Sequence, residues 1–223
     1  MAPWWLLLPQ RCAVCDRPGP ALCDACRRSL VLLLPPVCER CGAPGPWPVR
    51  RCAECAGRRL SFASARAAVA YDASARRFVR AWKEGGRRDL ADEAALLVSQ
   101  VVQPPATHGV VVPVPSDPER RRARGHAPAE SLAEAIASRW GLPAASLLRR
   151  ARRFERQRGK SAAERRANVR DAFAAARPVQ GAICLVDDVY TTGETVASCA
   201  GALRRAGARR VDVVCFARVL RAG

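Results

Sequence analysis

The sequence predicts an α/β fold, a mostly parallel sheet flanked by helices, with a small cysteine-rich module at its amino terminus. Residues 110–140 and 183–203 predict the sheet, because each reads as an apolar run, a polar loop and an amphipathic helix. Four Cys-x-x-Cys pairs before residue 56 predict the module. We expect the module to span residues 1–60 and the sheet domain residues 61–223.

Length and charge restrict the class of protein. A chain of 223 residues accommodates one α/β domain and a small module, and no apolar run reaches the roughly 18 residues of a membrane span. The run Trp4–Leu8 lacks a basic leader and ends at Pro9, so we expect no signal peptide and a cytoplasmic location. Residues 118–170 carry +10 of the formal charge of +18, which is more than half of the excess in about a quarter of the chain. This concentration favours phosphate groups or nucleic acid as a partner, although a basic surface without a specific ligand is the alternative.

The cysteine pairs predict structural zinc. A Cys-x-x-Cys pair offers two thiolates to one tetrahedral metal, and two pairs complete a closed zinc site. Disulfides would require an oxidising compartment, and a redox motif would need one pair rather than four. The module therefore predicts two zinc ions, held by Cys12, Cys15, Cys23, Cys26, Cys38, Cys41, Cys52 and Cys55.

Two pairings of these cysteines are open. In the sequential arrangement the first two pairs hold one zinc and the last two pairs hold the other, so that each ribbon closes a small loop. In the interleaved arrangement the first pair joins the third and the second joins the fourth. We favour the sequential arrangement. With eight thiolates and two zinc ions the module carries a net charge of only about +1, which disfavours a simple DNA-binding finger.

The segment that follows the module begins the sheet domain. Phe62–Tyr71 has strand character, and Ser74–Lys83 and Leu90–Val102 have helical spacing. The first of these helices ends at Gly85, which leaves Lys83 in its last turn. There Lys83 either reaches a phosphate group or is simply solvated.

A second strand and a basic loop come next. Val110–Val112 predicts a buried strand, residues 119–126 a basic loop, and Pro128–Trp140 a helix. Ligands of parallel sheets bind outside the carboxyl ends of the strands, so this loop is expected near the acid pair described below. Arg122 and Arg124 are candidates for a diphosphate, because arginine binds phosphate in a bidentate way. His126 is either an acid/base or phosphate donor, or a structural cap.

Residues 149–173 form the longest polar segment and are rich in arginine. Their charge suits a mobile lid over an anionic substrate. A basic surface that contacts nucleic acid, or no ligand, is the alternative.

The stretch from Ile183 to Leu203 predicts a phosphate site at a helix N-terminus, followed by a last strand, Val211–Val219. Asp187 and Asp188 end the apolar run, where their oxygens can accept hydrogen bonds from ribose hydroxyls or hold Mg²⁺ through water. A turn in which the acids only cap the loop is the alternative. The phosphate-binding loop comprises Thr191, Thr192, Gly193, Glu194 and Thr195, whose hydroxyls and close backbone approach suit a phosphate.

The acid pair and this loop resemble the phosphoribosyl pyrophosphate (PRPP) motif of type I phosphoribosyltransferases. The resemblance implies that the two acids bind the ribose hydroxyls and that the loop binds the 5′-phosphate; Glu194 stands at a position that varies in that family. The residues that carry the match are Val186-Asp187-Asp188-x-x-Thr191-Thr192-Gly193-x-Thr195.

The resemblance extends over nearly the whole chain to the ComF family, which is associated with natural competence. It implies a type I phosphoribosyltransferase-like fold with an amino-terminal double zinc ribbon. One departure is His126-Ala127-Pro128, where the family usually has Phe-Asn-Gln. The further matching stretches are Val112-Pro113-Val114-Pro115, Arg124-Gly125-His126, and Gln157-x-x-x-Ser161-x-x-Glu164-Arg165-x-x-Asn168-Val169-x-x-Ala172-Phe173.

Two functional hypotheses follow from the residues and the resemblance. An enzyme would bind PRPP with Mg²⁺ and transfer the phosphoribosyl group to a nitrogen nucleophile. Asp187 and Asp188 would then be the catalytic pair, and Arg122, Arg124 or Lys83 would hold the diphosphate. The alternative is a non-catalytic DNA-uptake or adaptor protein that retains the pocket and contacts single-stranded DNA or the competence machinery. Aromatic side chains for stacking on single strands are scarce, which disfavours tight autonomous DNA binding.

Overall fold

The main sheet has four parallel strands. The computed structural model describes residues 10–104, 109–151 and 172–221. Within them the sheet order is β1-β6-β5-β2, and a separate antiparallel pair consists of β3 and β4. The predicted mostly parallel sheet is therefore confirmed. The strands are β1 Ser64–Ala70, β2 Val110–Pro113, β3 Leu148–Arg150, β4 Phe173–Ala175, β5 Ala182–Tyr190 and β6 Arg210–Arg218.

Helices flank both faces of this sheet, as predicted. They are α1 Asp24–Arg28, α2 Ala73–Lys83, α3 Leu90–Val101, α4 Pro118–Arg124, α5 Pro128–Trp140 and α6 Glu194–Arg205. Alternate residues of β5 enter two separate cores: Cys184 and Val186 pack with α2, α3 and α5, while Ile183 and Leu185 pack with α6 and the β3–β4 pair. Among the described helices, none combines the length and the apolar character that crossing a membrane requires.

One secondary-structure prediction is wrong. The sequence predicts a loop for the basic stretch 119–126, but most of this stretch is the helix α4. The Asp117 side chain caps this helix by accepting hydrogen bonds from the backbone N–H groups of Glu119 and Arg120, and Pro118 occupies its first turn. Gly125 then ends the helix in the left-handed conformation. The capping by Asp117 thus outweighs the electrostatic repulsion among the arginines of α4.

The two cysteine ribbons lie on opposite faces of the sheet, next to its β1 edge. The first, which contains Cys12 and Cys26, shares a core with α2 and α3. The second, which contains Cys38 and Cys55, packs with the other core. The residues between the ribbons run along β1, where the backbone N–H of Leu33 donates to the Ala68 carbonyl at 2.9 Å. Both ribbons therefore pack against the edge of the sheet and do not extend away from it.

Part of the predicted lid lies outside the described residues. This applies to positions 152–171, which include the resemblance positions from Gln157 to Val169. The ends of that segment are described: Arg150 ends β3 and Phe173 begins β4, and the two residues are paired across these strands.

Candidate functional site

The eight cysteines form two clusters in the sequential arrangement. Within each cluster the four Sγ atoms lie within 4.8 Å of one another. The Sγ–Sγ distances include 3.4 Å for Cys41–Cys52, 3.7 Å for Cys38–Cys55 and 3.9 Å for Cys15–Cys23. A tetrahedron with Zn–S bonds of about 2.3 Å has edges of about 3.8 Å, so both clusters fit a zinc ion. The interleaved arrangement is excluded. The clusters are Cys12, Cys15, Cys23, Cys26 and Cys38, Cys41, Cys52, Cys55.

Backbone N–H groups favour the thiolate form of one cysteine in each cluster. Burial opposes the ionisation of Cys12, but hydrogen bonds from the backbone of Cys15 and Cys23 outweigh it and lower the pKa of Cys12 to about 6. The same balance lowers the pKa of Cys38 to about 7. Zinc binds thiolates, so each cluster contains a cysteine that can bind metal at neutral pH without a large cost of deprotonation.

The predicted acid pair lies at the carboxyl end of β5. The Nζ of Lys83, in the last turn of α2, is 2.7 Å from Oδ1 of Asp188, and both side chains are largely buried. Oδ1 of Asp187 accepts a hydrogen bond from the Asp188 backbone N–H at 2.9 Å. Burial, together with repulsion from Asp188, raises the pKa of the Asp187 carboxyl well above its usual range. The two acids therefore differ: one is paired with a cation and the other resists ionisation.

A basic cavity opens beside this pair. It has a volume of about 180 Å³ and lies at the carboxyl ends of β2 and β5, where ligands of parallel sheets bind. Five cationic side chains face three carboxylates, so the cavity has an excess of positive charge. The cationic and acidic residues that line it are Lys83, Arg120, Arg121, Arg124, Arg150, Asp117, Asp187 and Asp188. The structure thus brings the basic stretch next to the acid pair, as sheet topology predicted.

Helix α4 sorts its arginines into two groups. Arg120, Arg121 and Arg124 line the cavity, whereas Arg122 is exposed and lies outside the lining. Of the two arginines named from the sequence, only Arg124 is therefore in the cavity. A helical turn of 3.6 residues separates neighbours in this way, so recognising the helix would have separated them in advance. The Asp117-Pro118 pair was the missed signal, because it marks a helix start.

Arg150 was also missed. It approaches the cavity from β3, and its Nη1 lies 3.6 Å from Oδ2 of Asp117. The backbone N–H groups of Arg120 and Glu119 lower the pKa of Asp117, with Arg150 contributing. Asp117 therefore caps α4 and orients Arg150 at the same time. No local pattern predicts this contact, since the two residues are far apart in the chain.

His126 lines the same cavity. Its ring is buried, and Nδ1 lies 3.1 Å from the Arg124 carbonyl oxygen, which assigns it a structural contact. Its Nε2 is also buried and has no hydrogen-bond partner within the described residues. His126 therefore has the structural cap contact that the sequence offered as one alternative. Its Nε2 can still accept or donate a hydrogen bond at the cavity wall.

The loop that the sequence predicts to bind phosphate connects β5 to α6. Gly193 is buried and left-handed (φ 75°), and a Cβ there would overlap the Tyr190 hydroxyl, so this position requires glycine. Thr195 lines the basic cavity, while Thr191 and Thr192 are exposed beside it at the start of α6. Glu194 faces a second groove of about 700 Å³, between α6 and the end of the second ribbon. The loop thus has the cavity on one side and the ribbon on the other.

Comparisons with known proteins agree with the amino-terminal clusters. Residues 4–58 match the family model described as "Double zinc ribbon domain". The "DNA utilization protein YhgH" of Salmonella typhi is 36% identical over 134 residues, which are 57% of this chain and 59% of that protein. "Competence protein F" of Haemophilus influenzae is 34% identical over 114 residues, covering 48% and 49% of the two chains. The matched region thus spans about half the length of these curated relatives.

Two solved structures are similar over part of the chain. One is described as the allosteric regulatory enzyme of purine biosynthesis, with 26% identity and a TM-score of 0.39 over 58% of this chain and 25% of that one. The other is a glutamine PRPP amidotransferase from B. subtilis in complex with ADP and GMP, with 27% identity and a TM-score of 0.40 over 58% and 26%. Because both TM-scores are low, the fold is described from the strand order and register of this chain and not from these two structures.

Proposed function

We propose that this chain belongs to the ComF family, with a type I phosphoribosyltransferase-like fold, and that it binds PRPP or a related phosphorylated ribose at the carboxyl end of β5. The observation that carries the proposal is the acid pair Asp187 and Asp188 beside a cavity walled by five cations. Carboxylates accept from ribose hydroxyls, and guanidinium groups bind phosphate oxygens. A ligand with vicinal hydroxyls and several phosphates satisfies both at once.

Each part of the ligand has a matching part of the site. Asp187 and Asp188 would accept the ribose hydroxyls, and the phosphate-binding loop at the start of α6 would hold the 5′-phosphate. The diphosphate would lie against Arg124 and Lys83, with Arg120, Arg121 and Arg150 nearby. Mg²⁺ bound with the ligand would neutralise the diphosphate, and the two carboxylates could hold it through water.

In an active enzyme the bond between C1 of the ribose and the pyrophosphate oxygen breaks, and a bond from C1 to a nitrogen nucleophile forms. Pyrophosphate leaves with the bonding electrons, and the nucleophile loses its proton to solvent. The chain's contribution is electrostatic: the arginines stabilise the charge that develops on the leaving group. Lys83 would exchange its contact with Asp188 for the diphosphate as the ribose hydroxyls take over that carboxylate.

Calorimetry with PRPP and Mg²⁺ tests the binding proposal. The wild-type protein should bind, and the double variant Asp187→Asn with Asp188→Asn should not, because amides donate as well as accept and carry no charge. Glu134→Gln is the matched control, since it makes the same chemical change at an exposed position of α5. Failure of the wild type to bind would refute the pocket assignment.

The alternative is a non-catalytic DNA-uptake or adaptor protein in which the pocket senses a nucleotide. It is favoured by the names of the relatives, which refer to DNA utilization and competence. A screen for pyrophosphate release over nucleobases separates the two, because turnover supports the enzyme and silence favours the adaptor. Binding to single-stranded DNA should then weaken steeply with salt. For either role we propose a cytoplasmic location, because Cys-x-x-Cys pairs arranged as zinc ligands, rather than as disulfides, are typical of a reducing compartment.

A further inference from the structure

Arg58 links the second cysteine cluster to the phosphate-binding loop. This residue follows the last ligand, Cys55, and its backbone N–H donates to the Cys55 carbonyl at 3.2 Å. Its side-chain Nη2 donates to the Thr192 carbonyl at 2.6 Å. The turn that carries a metal ligand therefore also carries the group that holds the backbone of the loop.

A second connection runs through Arg218, at the end of β6. Its side chain is almost fully buried, and Nη1 donates to the carbonyl of the ligand Cys41 at 2.7 Å. Its Nη2 pairs with Oε2 of Glu54 at 2.6 Å and lies 3.8 Å from Sγ of Cys41. A buried guanidinium is costly unless its charge and donors are matched, and here Cys41 and Glu54 match the charge and both Nη groups, although Nε has no partner within the described residues. The second cluster and Glu54 therefore determine where Arg218 lies.

Tyr190 completes this connection. The Arg218 guanidinium lies 4.5 Å from the centroid of the Tyr190 ring, and Phe62 packs against that ring edge-on. The backbone of Gly193 sits so close to the Tyr190 hydroxyl that a side chain there would overlap it. The loop therefore rests on a ring whose own position depends on Arg218.

The first cluster has contacts of a different kind. In the ranges that the structure describes, its ribbon pairs Arg27 with Glu93 of α3 at 2.5 Å, and the Arg11 carbonyl accepts from Arg87 at 2.8 Å. These contacts lead to α3 and to the turn that precedes it, on the opposite face of the sheet. The same four-thiol arrangement is thus joined to the loop in one ribbon and to the helical layer in the other.

We propose that the second cysteine cluster holds the phosphate-binding loop in its binding conformation, with Arg58 and Arg218 as positioning residues. Affinity for a phosphorylated ribose then depends on metal occupancy of the second cluster and not of the first. The statement about affinity rests on the proposed function. The coupling between cluster and loop is a property of the chain and can be measured without ligand.

Matched cysteine variants test the dependence on each cluster. Cys15→Ser and Cys52→Ser each remove one thiol that is not fully buried, and metal analysis should show the loss of about one of two zinc ions in each case. We expect Cys52→Ser to weaken the binding of PRPP with Mg²⁺ about tenfold or more, and Cys15→Ser to change it less than about twofold. Equal effects of the two variants would overturn the proposal.

Arg58 variants test the coupling with zinc in place and without ligand. Hydrogen exchange at the backbone amides of residues 191–197 should be about tenfold faster in Arg58→Ala, since a charge-assisted hydrogen bond is lost. Arg58→Lys should restore part of the protection, because lysine keeps a cationic donor. Arg59→Ala is the control: it removes the same charge one residue away, from an exposed side chain without a hydrogen bond in the described residues.

The outcomes separate the two proposals. If the wild type does not bind PRPP but Arg58→Ala accelerates exchange, the ligand assignment is wrong and the coupling stands. If the wild type binds and Arg58→Ala changes neither affinity nor exchange, the coupling is wrong and the ligand assignment stands. Should Cys52→Ser fail to fold, the Arg58 series still decides.

Discussion

The cysteine clusters and the basic cavity differ in how their charges are compensated. In each cluster four thiols lie within 4.8 Å of one another, so that a single divalent ion can compensate them in a closed shell. In the cavity five cations face three carboxylates, and the excess charge is open to solvent. Compensated, closed charge stabilises a fold, whereas uncompensated charge in a cavity costs stability and favours a ligand. We therefore expect changes to either cluster to act mainly on folding, with the second cluster also acting on binding through Arg58, and changes to the cavity to act on binding alone.

Removal of zinc should have the largest effect. Metal binding to a closed thiolate site contributes directly to folding free energy, on the order of 10 kcal/mol for small zinc modules. Because both ribbons share cores with the sheet, treatment with a chelator should lower the thermal midpoint of the whole chain. Differential scanning fluorimetry measures this, with a zinc-saturated chelator as the control. Metal analysis should find two zinc ions per chain, and a value near zero would contradict the cluster assignment.

The acid pair should show the reverse behaviour, in which binding is lost while stability is kept. In Asp187→Asn with Asp188→Asn we expect no detectable PRPP binding and a thermal midpoint within a few degrees of the wild type. The stability follows because ionisation of the buried Asp187 carboxyl is unfavourable, so its replacement removes a cost that offsets the loss of the contact between Lys83 and Asp188. A large fall in the midpoint would mean that the pair is structural.

The raised pKa of Asp187 gives this contrast a pH dependence. A carboxyl whose pKa is higher in the folded than in the unfolded state binds its proton more tightly when folded. Its contribution to stability therefore falls as pH rises above about 4, the pKa in the unfolded chain, towards the folded-state value. In magnesium-free buffer the single variant Asp187→Asn should gain stability over the wild type between pH 5 and pH 8, as followed by urea unfolding. A constant difference across this range would contradict it.

These two regions also differ in how far the sequence predicts them. Spacing identifies the eight zinc ligands and favours, without deciding, the sequential pairing that the structure has, and the motif Asp187 to Thr195 is contiguous. The walls of the cavity come from separate segments, so Arg150 and Asp117 could not be paired in advance. The contact of Arg218 with Cys41 joins residues 177 positions apart. Only the local error on α4 was avoidable, and the boundary at residue 60 stays a prediction.

Among the cavity cations, Arg124 should have a moderate effect. We expect Arg124→Ala to weaken PRPP binding about tenfold, the usual size for one charge-assisted contact to phosphate, with little change in the thermal midpoint. Arg139→Ala is the matched control, because Arg139 is exposed at the end of α5 and outside the cavity lining. Equal losses in both variants would indicate a general effect of net charge rather than a contact.

Asp117 belongs to both kinds of region, and its variants should have the smallest effects. Its carboxylate caps α4 and lies near Arg150 at the cavity. Asp117→Ala should lower the free energy of unfolding by about 1 kcal/mol, the usual cost of losing a cap. Asp117→Asn should keep the cap, because asparagine caps as well, while it removes one of three carboxylates that oppose an anion. Urea unfolding and PRPP calorimetry on both variants therefore separate the structural role of this side chain from its electrostatic role: the alanine variant should lose stability, and the asparagine variant should gain affinity by up to a few-fold. If both variants lose stability equally, the charge of Asp117, rather than its hydrogen bonds to the helix, holds α4 in place.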